Sequence, residues 1–477
     1  MNGAHALLRG RLTGLLAALE TGLVERRQVL RASLLAALAG EHTLLVGPPG
    51  TAKSALARRI HLAFRDARYF ERLLTRFTVP EELFGPLSIR ALEEDRYERQ
   101  VAGFLPDAAV AFIDEVFKAN SAILNALLTL LNEREFDNGA GRMRCPLISV
   151  VGATNQVPED EVAEAFFDRF LLRLTVAPVS AEGFRRLLGE DRAGSPEPLA
   201  PAPELQLDAL DRAALARAAG SCALPAVVLD RLAELRDWLA GRGVYVSDRR
   251  WVKLAHLLRV AAASEGRSAA SEWDLGLVPY CVAADEPARL VVAEWLAARL
   301  GVREAWSPPR ITRVVEAFEA QLAGEREATD LDYDEAGRLR FSAIDPATQQ
   351  AGELAGAIGD AKGGSAALRM SSARMRRYGH LHIGARTAQL DDVLARLVKY
   401  RDELDTQRAA LEAWADQALW ADPAFVTAAR AGLAAADAAL AALAERARTA
   451  RAGFESLPRL AAAGAVPAPV DHDALPE

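Results

Sequence analysis

The chain has 477 residues, of which 51 % are hydrophobic and 26 % charged, and its formal net charge is −8. That length and apolar content supply cores for about three domains and exclude wholesale disorder. The acidic balance supplies no broad basic field for nucleic acid, and Cys145, Cys222 and Cys281 form no C-x-x-C pair, which argues against a zinc site or disulfide framework and fits a reducing compartment.

Residues 5–39 read as two amphipathic helices. Leu12, Leu15, Leu16 and Leu19 fall at helical spacing, as do Leu30, Leu34, Leu35 and Leu38, and Gly40 caps the second. Arg9, Arg11 and Glu20 interrupt the first, so the N-terminus does not read as a secretory signal. No apolar run reaches the roughly 20 residues of a membrane span. A cytoplasmic protein is expected.

Thr43-Leu44-Leu45-Val46 is a buried strand that runs into Gly47-Pro48-Pro49-Gly50-Thr51-Ala52-Lys53-Ser54, after which 55–64 resume helical spacing. This strand–loop–helix unit is a phosphate loop. Backbone N–H groups at a helix N-terminus cradle phosphate oxygens, Lys53 reaches the terminal phosphates, and the Ser54 hydroxyl ligates Mg²⁺. Ala52 stands where the G-x-x-x-x-G-K-[ST] pattern has glycine. Alanine fits if that residue has helical φ/ψ, so that no positive φ is needed.

Further along, 109–113 form a second buried strand with Asp114 and Glu115 at its end. Asp114 would hold Mg²⁺ through water, and Glu115 would polarise the attacking water. A helix with Ile123, Leu127, Leu130 and Leu131 inside follows. A third strand, 147–152, leads to Gly152-Ala153-Thr154-Asn155, where the Asn155 amide would orient water or touch the γ-phosphate; the alternative is a cap on the next turn. Strands alternating with helices imply a mainly parallel sheet with ligands at its carboxyl ends, where these polar residues and those taken up next, Arg169 and Arg249 included, are expected to cluster.

In Phe166-Phe167-Asp168-Arg169-Phe170, Arg169 would reach a neighbouring subunit's phosphate, or else pair with Glu164 or Asp168; Arg134 is a rival for the first role. Ser247 or Asp248 caps a helix whose stripe is Trp251, Leu254, Ala255 and Leu258. Arg249 in its first turn opposes the helix dipole and should have an anionic partner, either phosphate or an interdomain carboxylate.

These motifs, in this order, resemble an AAA+ ATPase, most closely the MoxR group over roughly residues 1–305. Residues 74–89 (Leu74 to Ile89) and 118–128 (Lys118 to Leu128) look like its regulatory ATPase variant A (RavA) branch. The resemblance implies Walker A at Lys53 and Ser54, Walker B at Asp114 and Glu115, sensor 1 at Asn155, an arginine finger at Arg169 and sensor 2 at Arg249. It also implies an insertion near 84–103, a hairpin at 136–143 turning at Asp137-Asn138-Gly139, ATP and Mg²⁺ as cofactors, and hydrolysis to ADP and phosphate. A homo-hexamer acting as a chaperone-like remodeller with a von Willebrand factor A domain partner is implied as well. The alternatives are a DNA-stimulated translocase, with Arg142 and Arg144 as contacts, and a nucleotide-switched scaffold.

The expected fold class is α/β plus all-α. An α/β nucleotide-binding core spans 1–194 and a helical lid 204–305, set apart by the proline-rich stretch 195–203. A discontinuous triple-helical domain spans 306–329 and 385–477, interrupted by a small β-rich module at 330–384 with strands at 339–344 and 381–383. Its apolar stripe is Leu390, Val393, Leu394, Leu397 and Val398. His380 and His382 would share one face of the second strand as an ordinary polar face rather than a metal site. The tail at Asp471-His472-Asp473 is expected to be disordered.

Overall fold

The computed structural model describes residues 2–139, 141–155, 161–189, 200–303, 306–331 and 373–475. It divides into two compact units, Met1–Leu300 with Ala409–Gly432, and Gly301–Arg408 with Leu433–Glu477.

The first unit begins with α1 (Asn2–Glu20) and α2 (Arg27–Leu38); Leu12, Leu15, Leu16, Leu19, Leu30, Leu34 and Leu35 enter the core as their spacing requires, while Leu38 is half-buried. The α/β core follows: β1 (His42–Val46), α3 (Lys53–His61), β2 (Tyr69–Leu73), α4 (Pro80–Phe84), α5 (Ile89–Glu93), β3 (Val110–Asp114) and α6 (Ser121–Glu133). Next come the hairpin strands β4 (Glu135–Asn138) and β5 (Gly141–Arg144), then β6 (Ser149–Thr154), α7 (Glu161–Phe167), β7 (Phe170–Thr175) and α8 (Ala181–Gly189). Five parallel strands pair in the order β2-β3-β6-β1-β7. The apolar runs of β1, β3 and β6 place them centrally, buried on both faces. At Gly152 a Cβ would lie 2.8 Å from the Phe170 ring, so only glycine lets β6 pack there.

Two strands of this sheet lie outside the sequence reading. β2, Tyr-Phe-Glu-Arg-Leu, is an edge strand that keeps its charges at the surface, where Arg58 bonds Glu71 at 2.9 Å. β7 hides behind the aromatic motif that precedes it. The expected insertion at 84–103 contains α5 and an antiparallel bridge between Leu87 and Arg99. Asn138, read as part of the hairpin turn, ends β4 instead. Its side chain accepts from Arg99 N at 2.6 Å and donates to Arg99 O at 3.2 Å, docking the hairpin on the insertion.

The helical part of this unit contains α9 (Ala209–Gly220), α10 (Ala226–Ala240), α11 (Asp248–Ser264), α12 (Pro279–Val282) and α13 (Glu286–Ala297). Ser247 caps α11, accepting from Arg250 N. Ala409–Gly432, expected within a separate helical domain, clusters with this first unit. Trp420 Nε1 donates to Ser264 Oγ at 2.8 Å, Tyr280 to Asp422 at 2.5 Å, and the Phe425 ring fills the space that a side chain on Gly276 would need.

The second unit contains α14 (Pro308–Glu327) and most of two long helices, α15 (His380–Ala415) and α16 (Pro423–Glu455). Ile311, Val314, Val315, Phe318 and Leu322 form the buried side of α14. On α15 the buried residues Ile383, Arg386, Leu390, Val393, Leu397, Tyr400 and Leu404 form a narrow seam of alternating three- and four-residue steps. Val398, expected in that stripe, is 52 % exposed. The alanine-rich α16 has the length and apolar composition of a membrane span, contrary to the sequence reading, with a third of its most apolar stretch buried. It also carries ion pairs: Asp437 meets Arg401 at 2.6 Å, and Arg446 meets Glu319 at 2.6 Å.

The expected strand at 381–383 is the first turn of α15; three residues are too few to show a period. His382 Nε2 lies 2.9 Å from buried Glu325, which also accepts from Arg386 at 3.0 Å. Among the described residues no His/Cys/Asp/Glu group is arranged to hold a metal. β8 (Thr329–Leu331) and β9 (Ala373–Met375) pair antiparallel, while the expected strand at 339–344 lies outside the described residues. The tail is ordered, against expectation. Asp473 pairs with Arg313 at 2.7 Å and the His472 ring lies against Phe318.

Candidate nucleotide site

β1 delivers the chain to Gly47, whose N–H donates to Thr154 O at 2.9 Å. A Cβ on Gly47 would lie 2.3 Å from Val176 O, so β7 and the loop demand glycine there. Pro48, Pro49 and Gly50 are exposed. Thr51 is buried and its hydroxyl donates to Pro48 O at 3.0 Å. Arg26, missed in the sequence reading, braces the loop from behind, donating to Thr51 O at 3.2 Å and Ala177 O at 2.6 Å; burial lowers its pKa. Lys53 opens α3 with its side chain buried, and Nζ donates to Gly47 O at 2.7 Å and Pro48 O at 2.8 Å. Three donors on an ammonium leave one for phosphate.

Ala52 corrects the sequence reading. Its φ is 69° and ψ 26°, left-handed rather than helical. A left-handed L-residue costs roughly 1–2 kcal/mol, and glycine's freer unfolded chain gives back about 0.4–1 kcal/mol of any relief. Ala52→Gly is therefore expected to stabilise the chain by roughly 0.5 kcal/mol, seen as a higher urea midpoint at unchanged slope.

β3 ends at Asp114, and β6 leads to exposed Asn155, so both stand at the sheet edge that carries the loop. Strands lie about 4.8 Å apart, which puts Asn155 one strand and Asp114 two strands from β1. Glu115 turns the corner at φ 51°, its N–H donating to Asp114 Oδ1 at 3.0 Å and its carboxylate 3.3 Å from Lys118 Nζ. A serine hydroxyl at 54 and a carboxylate at 114 are the hard oxygen donors that Mg²⁺ takes. The buried lysine and the α3 N-terminus suit the phosphates. The residues present therefore fit ATP with Mg²⁺.

Arg169 and Arg249 do not join this edge as expected. α6 runs back from β3, and its end sits beside the starts of β1 and β6. There Arg134 donates to the carbonyls of Gly40, Leu147 and Ile148. Three backbone acceptors occupy the rival finger. His42, buried at the start of β1, accepts from Val150 N at 3.0 Å and faces Leu131 O at 3.0 Å; burial holds its pKa at about 3, so it stays neutral. Arg249 donates to Asn132 Oδ1 at 2.7 Å on this same α6 end, a neutral partner where an anion was expected. Arg169 precedes Phe170, which pairs with His42 in register. Its guanidinium lies 3.5 Å from Asp168, its Nε has no hydrogen-bond partner among the described residues, and desolvation followed by the charge of Arg249 lowers its pKa. The length of β1, about 13 Å, separates this arginine pair from the chain's own phosphate loop.

Arg250, beside Arg249, is 4 % exposed and makes five bonds: to Asp168 Oδ1 and O, both at 3.1 Å, Phe170 O and Leu171 O, both at 2.9 Å, and Cys281 O at 2.6 Å. It locks α11 to the segment that bears Arg169. The sequence held a signal for it, since Arg250, Leu254, Leu257, Leu258 and Ala261 form one buried helical stripe, and a buried arginine must be paired.

Residues 10–213 match a family model described as the MoxR domain in the MoxR-vWA-beta-propeller ternary systems, and residues 227–296 match one described as an AAA lid domain. The chain belongs to the MoxR family of AAA+ ATPases. Two uncharacterized proteins of Methanocaldococcus jannaschii, MJ0812 and MJ0079, are each 40 % identical to this MoxR-family chain over 259 residues, or 54 % of it; the match spans 67 % and 66 % of their own lengths. Protein MoxR of Paracoccus denitrificans is 31 % identical over 183 residues, 37 % of this chain and 53 % of that protein. A solved structure from Cytophaga hutchinsonii covers 58 % of this chain and 87 % of its own at 17 % identity and a TM-score of 0.47, too distant a likeness to bear on the site.

Proposed function

We propose that this MoxR-family chain hydrolyses ATP at a site completed by a second copy of itself. One observation carries the reading: Arg169 and Arg249 sit together at the sheet edge opposite their own phosphate loop. In one copy the loop and Lys53 hold the phosphates, Asn155 orients water, and Glu115 takes its proton. Ser54 and Asp114 would hold Mg²⁺, which when bound neutralises charge on the phosphate oxygens. The second copy brings Arg169 and Arg249 to the charge that develops on the phosphoryl group as it passes from ADP to water.

The work done is read as chaperone-like remodelling of a protein complex by a closed ring, a hexamer by resemblance. The matched family model is named for systems that include a vWA component, which supports a von Willebrand factor A domain partner. The finer likeness to the RavA branch rests on residues 74–89 and 118–128. The three free, buried thiols fit a reducing compartment such as the cytoplasm. The DNA reading loses ground because Arg142 is held among Asp137, at 2.9 Å, Glu133 and Glu135.

Mixing two dead variants tests the shared site. Lys53→Ala lacks its own loop but keeps its arginines; Arg169→Ala keeps the loop but lacks the finger. Each alone should be at least 100-fold slow in phosphate release. Their equimolar mixture should regain a substantial fraction of wild-type turnover. A mixture as inactive as its components would refute the shared site.

A further inference from the structure

We infer that the corner joining α10 to α11 is the surface on which one copy of this chain seats against the next. The inference rests on the reading that Arg169 and Arg249 serve another copy's nucleotide, and it names the contact that positions them.

The corner begins at Gly243, whose φ of 73° lets the chain reverse, with Val244 N bonded back to Leu239 O at 3.0 Å. Beyond that turn the apolar residues face out rather than in. Tyr245 is 87 % exposed, Val252 70 % and Val244 42 %. Beside them opens a cavity of about 330 Å³, walled by Leu239, Val244, Val246, Asp248 and Trp251. The Trp251 indole Nε1 is buried with no hydrogen-bond partner among the described residues. A buried donor left without an acceptor is costly, and a carbonyl on an arriving chain would relieve it. An exposed tyrosine beside an apolar recess is the composition of an interface centre.

The occupant is a second copy because of where the corner lies. Asp248 and Trp251, in the cavity wall, bracket Arg249 and Arg250 on the first turn of α11. Exposed Val252, three residues beyond Arg249, lies on the same face of α11, so a body that reaches Arg249 also meets the apolar side of this corner. Its own loop is at the other end of the sheet, so the nucleotide it reaches arrives with another copy. Such a contact joins unlike edges, the loop edge of one copy and the arginine edge of the next, and contacts of that kind build rings.

The test uses the full chain carrying Tyr245→Arg, with Tyr245→Phe as the conservative partner. Tyr245 is too exposed for either change to disturb folding. Binding of a fluorescent ATP analogue should stay within twofold of wild type in both. The protein concentration giving half-maximal ATP turnover should rise at least tenfold for Tyr245→Arg, and sedimentation in ATP should show it dissociated where wild type and Tyr245→Phe are assembled. If Tyr245→Arg assembles and turns over like wild type while Arg249→Ala loses turnover, the corner is not the seat, although the shared site stands. If wild-type turnover per chain does not depend on protein concentration, the shared site fails and this inference with it.

Discussion

Glu115→Gln is expected to lower ATP turnover by about 10²- to 10⁴-fold, the range a positioned general base supplies, with ATP affinity held within a few fold. The substitution preserves shape and removes only the ability to take a proton from water. Glu115 occupies a left-handed corner, φ 51°, held by its N–H on Asp114 Oδ1, and glutamine keeps that backbone bond. The lost pairing with Lys118, 3.3 Å away and 55 % exposed, is a surface ion pair of about 0–1 kcal/mol, too small to unseat the corner. The chemical step should therefore fail while the loop, Lys53 and Asp114 go on binding. Single-turnover hydrolysis of labelled ATP, beside equilibrium binding, separates the two. Wild-type hydrolysis in this variant would place the base elsewhere. Lys53→Ala gives the opposite pattern, because it removes a charge that meets the phosphates themselves, and should lose affinity first.

The legible part of this site is the part written in contiguous sequence. An apolar run into Gly47-Pro48-Pro49-Gly50 and another into Asp114-Glu115 fix strand, loop and helix at once, because a fully buried strand needs the run and the turn needs the glycine. What was not legible is which sheet edge each later residue occupies. Arg169 and Arg249 are separated by 80 residues of sequence, and only the return of α6 alongside the sheet shows that both sit beside His42. The conformation of Ala52 was hidden because alanine gives no local sign of a left-handed backbone; the neighbours over-determine it, through Arg26 on Thr51 O and the α3 bond from Leu56 N to Ala52 O. The clustering of Ala409–Gly432 with the first unit was hidden for a related reason. Two alanine-rich helices read as one bundle along their whole length, while the partners that claim the hairpin tip, Ser264, Gly276 and Tyr280, lie over 130 residues earlier.

Arg250→Met is expected to cost about 3 kcal/mol of stability or more, because three buried carbonyls each lose a donor at about 1–3 kcal/mol apiece. Methionine fills much of the arginine stem but returns none of its five bonds. Asp168 would be left facing Arg173, 4.0 Å away, and Arg169, 3.5 Å away, and the carbonyls of Phe170, Leu171 and Cys281 would lose their donor in a site closed to water. Arg250→Lys should recover little, because a single ammonium cannot span acceptors on β7, α12 and the 168–170 turn together. Urea unfolding gives the magnitude. The neighbouring Arg249→Ala supplies the contrast: its one described bond, to Asn132, is exposed, so stability should change by no more than about 0.5 kcal/mol while turnover falls. Two adjacent arginines on one helical turn would then divide the work, one fixing the lid to the strand behind the finger and the other facing outward to the nucleotide of another copy. Equal stability losses in both variants would deny that division.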